Sequence, residues 1–261
     1  MEQTISDISH YRTEMAKSMV DKLFFIDKID VQLIVDFGCA DGTMLKFIRS
    51  LYPDIKLIGY DASQEMVDIA RKNCFLEYGM DFTSDWSVVE KRVKNLENSG
   101  FESAITLSSV IHEVYSYGNE NSVAEFWQRI FNTGFDYVVI RDMLLNKKSD
   151  HASKPKDVDK IYNSDDPHLE EFESMWGLIT NQKNLLHFLL KYRYNKNWFR
   201  ELRENYLPIT LEDMLNKIPT EKYSFEFYDH YILPFIKKSV KKEFNINLEE
   251  NTHIKLILKK K

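Results

Sequence analysis

The stretch Leu33-Ile34-Val35-Asp36-Phe37-Gly38-Cys39-Ala40-Asp41-Gly42 constrains the fold more than any other part of this 261-residue chain. A short apolar run ends in an acid and two glycines with three residues between them, and Thr43-Met44-Leu45-Lys46-Phe47-Ile48 continues as a helix. Glycine at a strand-to-helix turn lets a ligand approach the backbone, and the first amides of a helix lack internal partners. Such a turn therefore suits an anionic or electron-rich group. Nineteen residues after Gly42, the run Ile55-Lys56-Leu57-Ile58-Gly59-Tyr60 ends at Asp61. In a parallel sheet this acid lies beside the glycine turn, placed to accept the ribose hydroxyls of a nucleoside.

The glycine spacing separates two kinds of nucleoside ligand. Dinucleotide sites use G-x-G-x-x-G, whose second glycine admits a pyrophosphate; here the spacing is G-x-x-x-G and position 40 is Ala. The pattern resembles motif I of the class I S-adenosylmethionine (SAM) dependent methyltransferases, and the segment Asp61-Ala62-Ser63-Gln64-Glu65-Met66-Val67-Asp68-Ile69-Ala70-Arg71 is similar to that family's second strand running into its second helix. The resemblance spans about residues 30 to 142. It implies S-adenosyl-L-methionine as cofactor, held by Asp36, Gly38, Cys39, Ala40, Gly42, Asp61 and Ala62. It further implies Asp81 near the adenine amino group with Phe82 stacking beside it, Ser108 at the end of the fourth strand, and Tyr11 and Arg12 of an N-terminal helix touching the methionine carboxylate.

Strands and helices alternate through the first half: strands at 32–36, 55–60, 78–82, 103–108 and 136–142, with helices at 42–51, 63–74, 85–97 and 120–132 between them. An amphipathic helix over 8–26 precedes them. This rhythm predicts an α/β fold with a parallel sheet covered on both faces. After Asp142 it breaks. Residues 143–167 are polar, with Pro155 and Pro167, and read as a flexible loop, whereas 168–206 are helical and rich in Leu, Phe, Tyr and Trp. That is too much chain for one crossover, so 143–206 reads as a helical, lid-like insertion within a single domain spanning 1–261. The ending, helix 210–218, strand 222–229, helix 234–243 and strand 252–258, completes a Rossmann-like, seven-stranded, mostly parallel sheet. The resemblance implies that its last strand runs antiparallel between the fifth and sixth.

Two cysteines without paired spacing argue against a disulfide framework or a zinc site and for a reducing compartment. With no basic, apolar start and no run of ~18 apolar residues, a cytoplasmic protein that does not enter membranes is expected. Net charge is −6, yet residues 181–261 hold 16 Lys/Arg against 10 Asp/Glu. That excess favours a phosphate-bearing partner or is simply a solvated face. Nothing in the sequence sets the oligomeric state.

Methyl transfer from a sulfonium is an in-line displacement that depends on positioning, with a base needed for acceptors that must lose a proton. The fourth strand leads into Ser108-Ser109-Val110-Ile111-His112-Glu113-Val114-Tyr115-Ser116-Tyr117-Gly118, at the carboxyl edge where open α/β sheets bind ligands. His112 titrates in the useful range and is the candidate base; Glu113 orients it or binds an acceptor cation, and Tyr115 and Tyr117 line the pocket. The plain alternative is that His112 packs at the turn while Glu113 is solvated. Arg141-Asp142 reads as an ion pair at the same edge. The stripe from His187 to Tyr194 either clamps an acceptor or is helix core with snorkelling cations. No Asn/Asp-Pro-Pro-aromatic tetrapeptide follows the fourth strand, and no metal-ligand spacing is recognisable. The expectation is a methyltransferase acting on oxygen or nitrogen of a small molecule. An RNA or other nucleic-acid methyltransferase, and a non-catalytic SAM-binding partner subunit, are the alternatives.

Overall fold

Seven strands form one sheet in the order β3-β2-β1-β4-β5-β7-β6, in a computed structural model that describes residues 18–261. The strands are β1 Leu33–Phe37, β2 Lys56–Tyr60, β3 Met80–Thr83, β4 Ser103–Ser108, β5 Tyr137–Met143, β6 Tyr223–Tyr231 and β7 His253–Lys260. β1 to β5 pair in parallel, and β7 runs antiparallel to both β5 and β6. The expected architecture is therefore present, including the reversed last strand inserted between the fifth and sixth. All seven residues of β5 are buried, as a strand covered on both faces requires.

Helices α1 Met19–Lys22, α2 Thr43–Leu51, α3 Gln64–Asn73, α4 Trp86–Glu97, α5 Ile111–Tyr117 and α6 Glu120–Asn132 accompany the parallel half. One apolar core joins α4 and α6 to one face of the sheet, and a second joins α1, α2 and α3 to the other. The starts of these helices follow capping chemistry: Ser63, Asp85 and Asn119 each accept a backbone N–H of the first turn.

Residues 143–167, read as a flexible loop, include a helix, and 168–206 are helical as read. They contain α7 Pro155–Tyr162, α8 Leu169–Trp176, α9 Gln182–Lys191 and α10 Trp198–Arg203. Pro155 opens α7, where its missing N–H costs nothing, and Val158 and Ile161 supply the buried face. These helices share a third apolar core with α12 Pro234–Phe244. The short α11 Leu211–Leu215 leads back to β6. No helix among the described residues is long and apolar enough to cross a membrane. Tyr11 and Arg12 lie outside the described residues.

Candidate active site

The turn after β1 has the backbone its glycines require. Gly38 has φ +74° and Gly42 φ +77°, and a Cβ on Gly38 would lie 2.8 Å from Val110 Cγ2. Ala40 occupies the same left-handed region at φ +46°. Asp61, at the end of β2, ties the turn down: its Oδ2 accepts from Ala40 N–H at 2.9 Å and its Oδ1 from Ser63 N–H at 2.9 Å. Burial raises its pKa above the usual carboxylate value against those two hydrogen bonds. Ala62 is exposed next to it, and Cys39 is buried under the turn. Asp36 is buried within β1, where its Oδ1 accepts from Thr106 Oγ1 at 2.9 Å. Burial pushes its pKa up to about 7, with Thr106 and Lys22 opposing.

Two expected adenine contacts are placed otherwise. Asp81 lies inside β3, registered against Ile58, and pairs with Arg92 at 3.0 Å on the surface. The phenyl ring of Phe82 is buried where Cβ atoms on Gly42 and Gly59 would stand, so it supports the glycine turn from below. The carboxyl end of β3 presents Thr83, Ser84 and Asp85 instead, and the helix-capping Ser84-Asp85 pair before residues 86–97 was the signal for that end.

The residues after β4 are joined by a buried charge network. His112, 5% exposed, binds through Nδ1 to Asp142 Oδ1 at 2.6 Å and through Nε2 to Glu204 Oε1 at 2.9 Å. Burial alone would lower its pKa, but Asp142 and Glu204 outweigh this and hold it well above the ordinary histidine value. His112 is thus an imidazolium donating from both nitrogens. A ring protonated at both nitrogens has no lone pair to take a further proton. Asp142 also accepts from the backbone N–H groups of Ile111 at 2.7 Å and Met143 at 2.8 Å, which fixes the start of α5.

Glu113 is half-buried and held at Oε1 by Arg200 Nη2 at 3.0 Å. Burial first, then the charge of Glu204, pushes its pKa up to about 7 against Arg200 and His112. Arg200 also reaches Glu201 at 3.1 Å. Ligand-type atoms of His112, Glu113 and Glu204 lie within 4.8 Å of one another, but the guanidinium of Arg200 is already the cation on those glutamates. Tyr115 accepts from Trp127 Nε1, whereas the hydroxyl of Tyr117, though its side chain is exposed, lies near enough to Glu204, Arg200, Glu113 and Glu201 to feel their charges. Arg141 pairs with Asp21 at 2.8 Å and with Ser109 Oγ at 2.7 Å, and Asp21 also binds Lys255 and Tyr231.

A cavity of about 110 Å³ opens at this edge, walled by Lys22, Ser109, His112, Glu113 and Arg141 below and by Arg193, Tyr194, Arg200 and Tyr206 of the insertion and its end above. Of the His187–Tyr194 stripe, His187 and Lys191 are buried in the insertion. Lys191 Nζ donates to the carbonyls of Glu201, at 2.6 Å, and Glu204. Glu201 and Glu204 were missed as site residues, because nothing local marks a partner so far away in sequence.

Residues 34–134 match a family model described as a methyltransferase domain. Those residues form an S-adenosylmethionine-dependent methyltransferase domain with the Rossmann-like class I fold. Among solved structures, the methyltransferase is similar to the pyocyanin biosynthetic protein PhzM, with 12% identity and a TM-score of 0.53 over 98% of this chain and 59% of that one. It is also similar to a SAM-dependent methyltransferase from Anabaena variabilis, with 14% identity and a TM-score of 0.49 over 100% and 98% of the two chains. The plantazolicin methyltransferase BamL, solved with a desmethylPZN analog and SAH, matches at 12% identity and a TM-score of 0.49, covering 96% of this chain and 87% of that one. At these identities the likeness concerns the fold alone. No curated protein matches the methyltransferase chain significantly.

The residues fit the cofactor. The Asp61 carboxylate stands at the end of β2 beside the turn, and Ser108 Oγ, at the end of β4, is buried without a hydrogen-bond partner among the described residues. A buried hydroxyl of that kind calls for a ligand group or water.

Proposed function

We propose that this methyltransferase transfers the methyl group to an oxygen or nitrogen of a small molecule, and that Glu113 takes the acceptor's proton. The observation that carries the reading is the cavity of about 110 Å³ at the carboxyl edge of β4 and β5, roofed by the insertion and lined by Glu113. A cavity that size is smaller than the ~150 Å³ hole that accommodates benzene, so it suits a group smaller than a benzene ring. Its presence also favours a working enzyme over a silent SAM-binding subunit.

Bound S-adenosylmethionine supplies an electrophilic methyl carbon on a sulfonium. The glycine turn and Asp61 hold the nucleoside end, and Ser108 Oγ is in place to donate to the cofactor from the β4 side. Glu113 Oε1 is anchored by Arg200, and the pKa of about 7 lets the carboxyl accept a proton at neutral pH. His112, locked between Asp142 and Glu204, positions the start of α5 and so the Glu113 backbone. The alternative of an RNA acceptor loses its basic track, because Lys191 is fully buried and Arg200 is engaged by glutamates.

The test is Glu113→Gln, which should lower kcat by about 10²- to 10⁴-fold with SAM affinity kept. In the unmutated enzyme kcat should rise with pH through about 7 and level off above it, because only the deprotonated carboxylate accepts a proton. Unchanged turnover in the variant removes Glu113 from the chemistry.

A further inference from the structure

We propose that Lys191, buried in the insertion behind the cavity wall, is a positioning residue for Glu113: it caps the end of α10 and so fixes the turn 201–206, which brings Glu201, Glu204 and Tyr206 to the cavity. The inference rests on reading Glu113 as the acceptor's base, and it names a residue that sets the surroundings of that base. α10 is 6 residues long and ends at Arg203, and the last carbonyls of any helix lack partners within it. Here side chains supply them. Lys191 Nζ donates to the carbonyls of Glu201, at 2.6 Å, and Glu204, and Trp176 Nε1 donates to that of Leu202 at 2.6 Å. A cation at a helix C-terminus also meets the negative end of the helix dipole. The far side of the turn is tied as well: Tyr206 N–H donates to His187 Nε2 at 3.2 Å, and Asn205 N–H to Ser116 Oγ of α5 at 2.9 Å.

Lys191 is fully buried, and a Leu or Met would fill the same end of α9 without the cost of burying an ammonium. What an apolar side chain lacks is the N–H groups that the two carbonyls take. The Lys191 nitrogen sits over the rings of Trp176 at 5.0 Å and Tyr206 at 4.8 Å, which favour its charge without competing for its hydrogens. Burial pulls its pKa down to about 7 against Glu204 and Glu201. The neutral amine still carries two hydrogens, so the cap holds on both sides of that value. From the turn the effect passes to side chains: Glu204 Oε1 accepts from His112 Nε2 at 2.9 Å, and the Tyr206 ring lies edge-on to His112 at 5.4 Å. Glu113 is faced by Lys22 of α1, His112 and Tyr117 of α5, Arg200 of α10 and Glu204 of the turn. After burial, the charge of Glu204 does most to keep the Glu113 carboxyl protonated. A slack turn both wets Glu113 and draws Glu204 away, and each change favours the carboxylate. Arg200 precedes the capped end and is bonded to Glu113 directly, so its hold does not depend on the cap.

The experiment uses the full chain carrying carbon-13 at the glutamate side-chain carboxyls and needs no acceptor. The Glu113 resonance is the one lost in Glu113→Gln, and its chemical shift is followed with pH. In the unmutated chain it should titrate through about 7. Lys191→Met, which keeps the bulk and loses the donors, should lower that midpoint by about one on the pH scale. Lys191→Gln, too short to reach both carbonyls, should lower it in the same direction and decides the matter if methionine prevents folding. Phe188→Leu is the control for lost packing, since Phe188 lies in the same helix and core but meets Phe172, Tyr192 and Phe244 rather than the turn; its midpoint should match that of the unmutated chain. A melting shift with S-adenosylhomocysteine confirms that each variant is folded with its cofactor site intact. A midpoint unmoved in the folded Lys191 variants, or moved as far in Phe188→Leu, overturns the positioning role and leaves Glu113 as the base. A Glu113 resonance that titrates in the ordinary glutamate range in the unmutated chain overturns the reading of Glu113 as the base, and the inference with it.

Discussion

The two halves of the sheet's carboxyl edge are built by different means. At β1 and β2 the site is made of backbone: two left-handed glycines, an alanine in the same region, and one carboxylate reaching back 21 residues to an amide. At β4 and β5 it is made of side-chain charges drawn from distant segments. His112 and Asp142 are 30 residues apart, Arg200 and Glu113 are 87 apart, and Arg141 and Asp21 are 120 apart. The first kind of site needs the right residues in one short stretch, so it is stable to change elsewhere. The second needs several elements docked together, and each buried charge is tolerable only while its partners stay.

That contrast is sharpest where a partner is removed. His112→Ala leaves Asp142 and Glu204 buried without their shared cation and should cost about 3–5 kcal/mol of folding stability, read by urea unfolding; a variant as stable as the parent protein breaks the comparison. At the other half, Asp61→Ala should weaken S-adenosylhomocysteine binding by about 1.5–3 kcal/mol through lost charge-assisted hydrogen bonds. Calorimetry checks this, and unaltered affinity would remove Asp61 from the cofactor site. Backbone strain comes next. Gly38→Ala should destabilise by about 1–2 kcal/mol from its left-handed φ, plus the clash with Val110. Gly100→Ala, at φ +73° with nothing within 4 Å of its Cβ position, should show the strain alone, so equal melting shifts would deny the Val110 contact a role. The smallest effect concerns the insertion: cofactor with acceptor should slow amide exchange in residues 195–206 more than cofactor alone, and equal protection would speak against a lid.

The same division explains what could be read in the sequence. The glycine turn, Asp61 and the strands are encoded by spacing and periodicity within windows of a few dozen residues, and their positions agree with expectation to within a few residues. Pro155 misled because it also fits a turn; only the apolar spacing of Val158 and Ile161 after it marks a helix. Asp81 went astray because a four-residue strand gives too little pattern to fix its end. His112 was read from its place after β4, but its carboxylate partners were not. Whether a histidine is a base or a clamped cation depends on Glu204, and nothing near either residue announces the other.

β7 follows the other six strands of the sheet in chain order and yet lies inside it, between β5 and β6. Until residues 253–260 emerge, the fully buried β5 has one unpaired edge and β6 has no partner at all. A nascent chain can assemble β1 to β4 with their helices early, while the edge that carries Arg141 and Asp142 must wait. In that interval β5 is an exposed apolar template for a wrong neighbour. Shortening the chain by even the final strand should therefore yield aggregates rather than a smaller working enzyme.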